Sequence, residues 1–448
     1  MYNPVTESII ENIPSVEDID ASRLPTLLTK VYAEILVIKS NHEDKDGIDD
    51  LKPDCDKLIK LAFTLELYML SPKFENNISH LAYVAATSLK ILGLIIDTND
   101  DKLTVEYVPV YLAETLLFII GDNYPEANEI CNTHDFLCDE VTGQILIDNI
   151  KKVITGKIYE VSESKKEVRD NNIESYARSL LLYELNRGVL SLSSYLKGEG
   201  EYNPTFFEKV LSLSISKDKQ IAFSGLFRLA NLLRLAAISL IQHSTLYIQT
   251  PKGVYASLWD SWLNEYNHRH AYLWNNHIDA INQGLLNKGI SGVVTFPTGS
   301  GKSTLINLKI ASCLAGGDKV LYLVPTHALE SQVKQQTDEL FNNRNRDTFE
   351  IGGEYTNFIL DDKTNVFVIT PERCMSLLYI QDDLLDDIGL IVFDEFHIIN
   401  EGSERSLSSM MTLLTLLTKD ASSDFLLVSA MVSNSDEIVR SRKGNVLI

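Results

Sequence analysis

The chain has 448 residues, 45% of them apolar and 23% charged, which is the composition of a globular protein of about two to four domains. Its formal charge is −22, from 62 Asp and Glu against 40 Lys and Arg. That balance argues against a protein that coats nucleic acid by diffuse attraction, because phosphate binding rests on clustered cations, and leaves room for a local basic groove.

The start, "MYNPVTESIIENIPSVED", has no basic segment followed by an apolar run, so no secretion signal is expected. The scattered cysteines Cys55, Cys131, Cys138, Cys313 and Cys374 are odd in number and fit reduced thiols in a cytoplasmic protein. From there to about residue 252 the apolar residues recur at three and four spacing. Pro25–Ser40, Glu174–Gly198 and Lys219–His243 read as helices, and polar stretches such as "KSNHEDKDGIDD" read as loops. Leu81–Ile96 is the most apolar run. It is short for a bilayer and carries Lys90, so a buried core helix and no membrane span is the reading. Cys131, His134 and Cys138 lack a standard zinc spacing and a fourth ligand. No fixed repeat appears. Residues 1–252 are read as an irregular helical accessory or regulatory domain that docks a protein partner.

Near Gly253 the texture changes. "GVVTF", "KVLYLVP", "NVFVIT", "IGLIVFDEF", "DFLLVSAM" and "NVLI" are short apolar runs separated by helical segments. Continuous apolar strands alternating with helices predict a parallel sheet covered on both faces, so 253–448 is read as an α/β domain. The fold class is an all-helical domain followed by a parallel-sheet lobe.

The first strand runs into "TFPTGSGKST". Gly299 and Gly301 let the backbone aim its N–H groups at one point, and the helix that follows adds its partial positive charge. Lys302 is placed to reach the β- and γ-phosphates of a nucleotide, and the Ser303 hydroxyl to ligate Mg²⁺. Pro297, Thr298, Ser300 and Thr304 complete the loop. Phe296 stands where the broad phosphate-loop pattern has its first glycine. The second half of the site falls at the end of "IGLIVFDEFH", where α/β sheets put their chemistry. Asp394 is placed to hold Mg²⁺ through water and Glu395 to orient and deprotonate an attacking water.

At this point the chain resembles superfamily 2 helicases of the DExH type. The order of motifs carries the resemblance: "TFPTGSGKST", "VPTHALESQ", "TPER", "DEFH" and "SAMVSN", over Leu273–Ile448. The resemblance implies a RecA-like lobe that binds ATP and Mg²⁺ and hydrolyses ATP. Thr326, Thr370 and Arg373 would hold the sugar-phosphate of a strand of DNA or RNA, and Gly352 and Gly353 would offer backbone N–H groups to phosphate. His397 and Ser429 would couple the ATP site to that strand. Thr326 and Thr370 could equally cap the helices that follow them, and Arg373 could be a surface ion-pair residue.

Three departures from the family pattern stand out. His277, in the entry helix "LWNNHIDAI", replaces the Gln that reads adenine, which leaves base selectivity open. Met431 replaces a hydroxyl residue of the coupling motif. Superfamily 2 motors use two lobes, with ATP between them and charge-stabilising arginines on the second. The second is not among these residues, so turnover is expected only with it, and the chain is read either as part of a longer helicase or as a protein that takes its second lobe from another chain. "SAMVSNSDEI" is similar to the branch of Ski-complex and repair helicases, and the helical N-terminal half is similar to Hachiman-type anti-phage helicases. A competing reading is a nucleotide-sensing or partner-docking scaffold built on a helicase-like lobe.

Overall fold

A computed structural model of the chain describes residues 19–43, 52–96, 101–163, 173–215, 221–297, 299–341, 365–380, 385–400, 404–419, 422–430 and 446–447. They form two compact units. The first comprises the described residues up to Leu246 together with Asn267–Tyr272, and the second Tyr247–Tyr266 with the described residues from Leu273 onward.

The first unit is helical. Its α-helices are α1 (Leu24–Glu43), α2 (Lys52–Met69), α3 (Ile78–Ile95), α4 (Val110–Ile120), α5 (Tyr124–Thr133), α6 (Val141–Ile154), α7 (Ile173–Leu196), α8 (Thr205–Leu213) and α9 (Ser224–Gln242). α4 is largely apolar and buried along almost its whole length, because α3, α5 and α9 pack around it. α3 and α9 are core helices as well, as the run around Leu81 suggested. By length and composition alone, Pro72–Ile95 and Ser224–Gln242 could cross a membrane, but over half of each apolar window is buried inside the protein. α9 begins at Ser224, five residues later than its apolar spacing suggests. Residues 215 and 221 form an isolated antiparallel bridge before it. Cys131 is buried and His134 stacks on Tyr111, with ring centroids 3.8 Å apart. No metal-binding cluster occurs among the described residues.

The second unit opens with α10 (Ala256–Asn267) and α11 (Asn275–Asn282) and is built on six parallel strands: β1 (Gly292–Thr295), β2 (Lys319–Leu323), β3 (Val366–Ile369), β4 (Ile388–Phe393), β5 (Asp424–Ser429) and β6 (Val446–Leu447). Their order is β3-β2-β4-β5-β1-β6. Each of the six apolar runs named above is a strand. They lack alternation because helices cover both sheet faces. One core cluster holds Val294, Tyr322, Val392 and Val428 with Trp259 and Trp262 of α10. The other holds Val293, Leu321, Phe393 and Leu427 with Cys374 and Leu416. The crossing helices are α12 (Lys302–Ala315), α13 (His327–Phe341), α14 (Pro371–Ile380) and α15 (Glu404–Lys419). Since every strand points the same way, the segments after β1, β2, β3, β4 and β5 all leave at one edge, where the candidate site lies.

Candidate functional site

After β1 the chain makes a tight turn. The Ser300 N–H and hydroxyl both donate to the Pro297 carbonyl, at 3.3 and 2.5 Å. Gly299 and Gly301 have φ of +82° and +79°, left-handed values that a side chain resists. α12 then starts at Lys302 with Gly301 as its N-cap, and its first N–H groups have no partner within the helix. Ser303 is exposed in that first turn, and the Thr304 N–H donates to the Gly301 carbonyl at 3.0 Å. Thr298 lies outside the described residues. α11 grips the loop from behind. The Asn276 amide donates to the Ser300 carbonyl and a His277 ring nitrogen to the Gly301 carbonyl, both at 2.9 Å.

The carboxylate pair follows β4. The Asp394 N–H donates to the Leu323 carbonyl at 3.0 Å, so the ladder runs to the end of the strand. The backbone then reverses at Glu395, whose φ is +48°, a conformation that costs a non-glycine residue about 1–2 kcal/mol. Glu395 Oε1 lies 3.1 Å from Lys302 Nζ, with the two side chains 33% and 13% exposed. Asp394 Oδ1 accepts from the Glu395 N–H at 2.9 Å and Oδ2 accepts from the Tyr322 hydroxyl at 3.3 Å. Burial, and then the neighbouring Glu395 charge, push the Asp394 carboxyl above its usual range. His397 Nδ1 is 3.2 Å from Glu395 Oε2 and 3.1 Å from the Ser429 hydroxyl at the end of β5. Lys302, Asp394, Glu395, His397 and Ser429 thus form one contiguous set.

The third group lies at the ends of β2 and β3. These strands pair in parallel with Leu323 opposite Ile369, so α13 and α14 begin side by side. Thr326 caps α13 by accepting from the Leu329 N–H at 3.3 Å. Thr370 is buried, and its carbonyl accepts from the Cys374 N–H at 2.9 Å. Arg373 Nη1 lies 3.6 Å from Glu330 Oε1, whose other oxygen is 3.0 Å from His327 Nδ1. Gly352, Gly353 and Met431 lie outside the described residues. Tyr322, Asn276 and Glu330 escaped the sequence reading. Tyr322 breaks an otherwise aliphatic strand, and that was the one available signal.

A phosphate loop after one parallel strand, facing a carboxylate pair at the end of another, defines a RecA-like lobe. Residues 275–438 match the DEAD/DEAH box helicase family. Over this segment the chain is similar to the first lobe of superfamily 2 helicases. Among curated relatives, the chain is 25% identical over 175 residues to ATP-dependent DNA helicase Hel308 of Methanocaldococcus jannaschii, covering 38% of the chain and 14% of that protein. It is 27% identical over 159 residues to Hachiman protein HamB of Bacillus cereus, covering 34% and 14%. It is 28% identical over 168 residues to the antiviral helicase SKI2 of Saccharomyces cerevisiae, covering 36% and 12%. The matches therefore span about a seventh of the length of these relatives. Among solved structures, the DUF1998 helicase MrfA bound to DNA aligns over 44% of this chain and 30% of its own, with 20% identity and a TM-score of 0.36.

Proposed function

We propose that the lobe binds Mg·ATP at the phosphate loop and holds a single strand of nucleic acid at the starts of α13 and α14, as the first half of an ATP-driven helicase or translocase motor. The observation that carries this reading is the 3.1 Å contact between Lys302 and Glu395. It supports a site in which the loop cation turns to the β- and γ-phosphates and frees Glu395 to accept a proton from the attacking water. Asp394 and Ser303 offer hard oxygen donors of the kind Mg²⁺ takes, and the raised Asp394 carboxyl is a buried charge that lacks a full counter-charge. The ion would neutralise charge on the phosphates. His397 joins Glu395 to Ser429, which supports a coupling role for both. Thr326, Thr370 and Arg373 would contact strand phosphates, with Arg373 leaving Glu330 to do so.

The matched residues form one lobe. In the family reading, the arginines that stabilise phosphoryl charge come from another, and they are worth about 10³–10⁵ in rate in comparable enzymes. The 448 residues alone should therefore bind ATP and turn it over slowly. The likeness to HamB supports a place in anti-phage defence, in the cytoplasm, with the helical unit as the docking domain for a protein partner.

The test is calorimetric binding of Mg·ATP to the chain, with Lys302→Ala as the comparison. Losing one charge-assisted contact to phosphate should weaken binding about tenfold or more. Equal binding by the variant would sink the proposal. In a protein that carries both lobes, ATP binding with no hydrolysis stimulated by any DNA or RNA would favour the scaffold reading.

A further inference from the structure

The entry helix α11 does not present its histidine to an open site. His277 is 2% exposed, and both of its ring nitrogens are engaged. Nδ1 accepts from the Trp274 N–H at 3.2 Å, so the proton sits on Nε2 and donates to the Gly301 carbonyl at 2.9 Å. The ring stacks on Trp274 at a centroid distance of 5.6 Å and an interplanar angle of 16°. A Cβ on Gly301 would lie 2.6 Å from the imidazole, so the ring occupies the space that the glycine leaves. Beside it, the Asn276 amide holds the preceding carbonyl, that of Ser300, at 2.9 Å.

Two consecutive carbonyls of the phosphate loop are therefore tied from α11. In a trans peptide the C=O and the N–H point in opposite directions, and no cis peptide occurs among the described residues. Holding the Ser300 and Gly301 carbonyls toward α11 turns the N–H groups of Gly301 and Lys302 the other way, toward the open side of the loop. An anion held there meets donors that are already aligned and pays little ordering entropy.

Building on the ATP reading above, we propose that Asn276 and His277 are positioning residues that preset the phosphate loop, and that residue 277 contributes nothing to recognition of the nucleobase. To read a base edge, His277 would have to break both of its hydrogen bonds and leave its pocket. Burial pulls its pKa down to about 4, so the neutral ring with its proton on Nε2 persists at ordinary pH.

The experiment measures binding of Mg·ATP, Mg·GTP and inorganic tripolyphosphate to the 448-residue chain and to His277→Ala, His277→Gln and Asn276→Ala. Wild type should bind ATP and GTP within about threefold of each other. His277→Ala and Asn276→Ala should each weaken all three ligands, tripolyphosphate included, by about tenfold. His277→Gln, which returns an N–H toward the Gly301 carbonyl, should recover part of the loss while melting near the temperature of His277→Ala. If His277→Ala does not fold, Asn276→Ala carries the test, since its side chain is only half-buried. A preference for ATP over GTP that disappears in His277→Ala, with tripolyphosphate binding unchanged, would make residue 277 a base reader and overturn the proposal. Wild type that binds none of the three overturns the ATP reading itself, and this inference with it.

Discussion

Glu395 carries three demands at once. It sits at a left-handed backbone position, pairs with Lys302 and contacts His397. Strain of this kind persists only where neighbours fix it, and here Asp394 Oδ1 holds the Glu395 N–H. Glu395→Gln keeps the size of the side chain and removes the charge. Because Lys302 then no longer leaves a carboxylate to meet phosphate, the variant should bind Mg·ATP at least as tightly as wild type. Its hydrolysis, measured in single turnover with strand present, should fall about 100-fold or more, the usual worth of a general base. Weaker ATP binding in Glu395→Gln would mean that the carboxylate supports the ligand rather than the water.

At the scale of elements, the phosphate-loop helix is anchored by an ion pair. Lys309 of α12 is 3% exposed and bonds Asp424 of β5 at 2.9 Å, the Asn287 carbonyl at 2.8 Å and the Ile290 carbonyl at 3.0 Å. Asp424 also accepts the Gly289 N–H at 3.1 Å. Removing one partner of such a pair strands a buried charge. Asp424→Ala should therefore cost about 3–5 kcal/mol in urea unfolding, and Lys309→Met with Asp424→Leu should cost less than Asp424→Ala alone. None of this could be read from the sequence, because the partners are 115 residues apart and neither residue stands in a motif. The strands were legible for the opposite reason. A parallel strand covered on both faces must be apolar throughout, and six such runs were in view. The phosphate loop was legible because only glycine takes the φ values found at Gly299 and Gly301 without strain. Asn276, Tyr322 and Glu330 were not, since each matters through a partner on another element. Thr326 is a helix cap in the structure, as the sequence allowed, and capping leaves its role toward a strand to experiment.

Across the whole molecule, the net charge of −22 makes any buried carboxylate costly. Glu114, at the centre of the helical unit, is 2% exposed, and its Oε2 has no hydrogen bond among the described residues. Burial pushes its carboxyl up to about 8 from 4.5; Lys90 of α3 pulls it down and Glu126 of α5 pushes it further up. A folded pKa above the unfolded one means that the folded state holds the proton more tightly. The stability this gives is full below pH 4.5 and is lost as pH rises through about 8. At pH 9 the cost is on the order of 3–5 kcal/mol as an upper bound. Glu114→Gln should therefore melt higher than wild type at pH 9, with a smaller gap at pH 6. A gap of the same size at both values would show that the carboxyl is not protonated in the fold.

One backbone hydrogen bond joins the loop after β1 to the end of β5. The Phe296 N–H, first in the loop, donates to the Ser429 carbonyl at 3.2 Å, and the hydroxyl of the same serine meets His397. A ligand that tightens the loop should therefore slow deuterium exchange at the Phe296 amide, and cutting the Ser429–His397 contact should speed it. Exchange at that single amide would then report whether the loop and the end of β5 respond together.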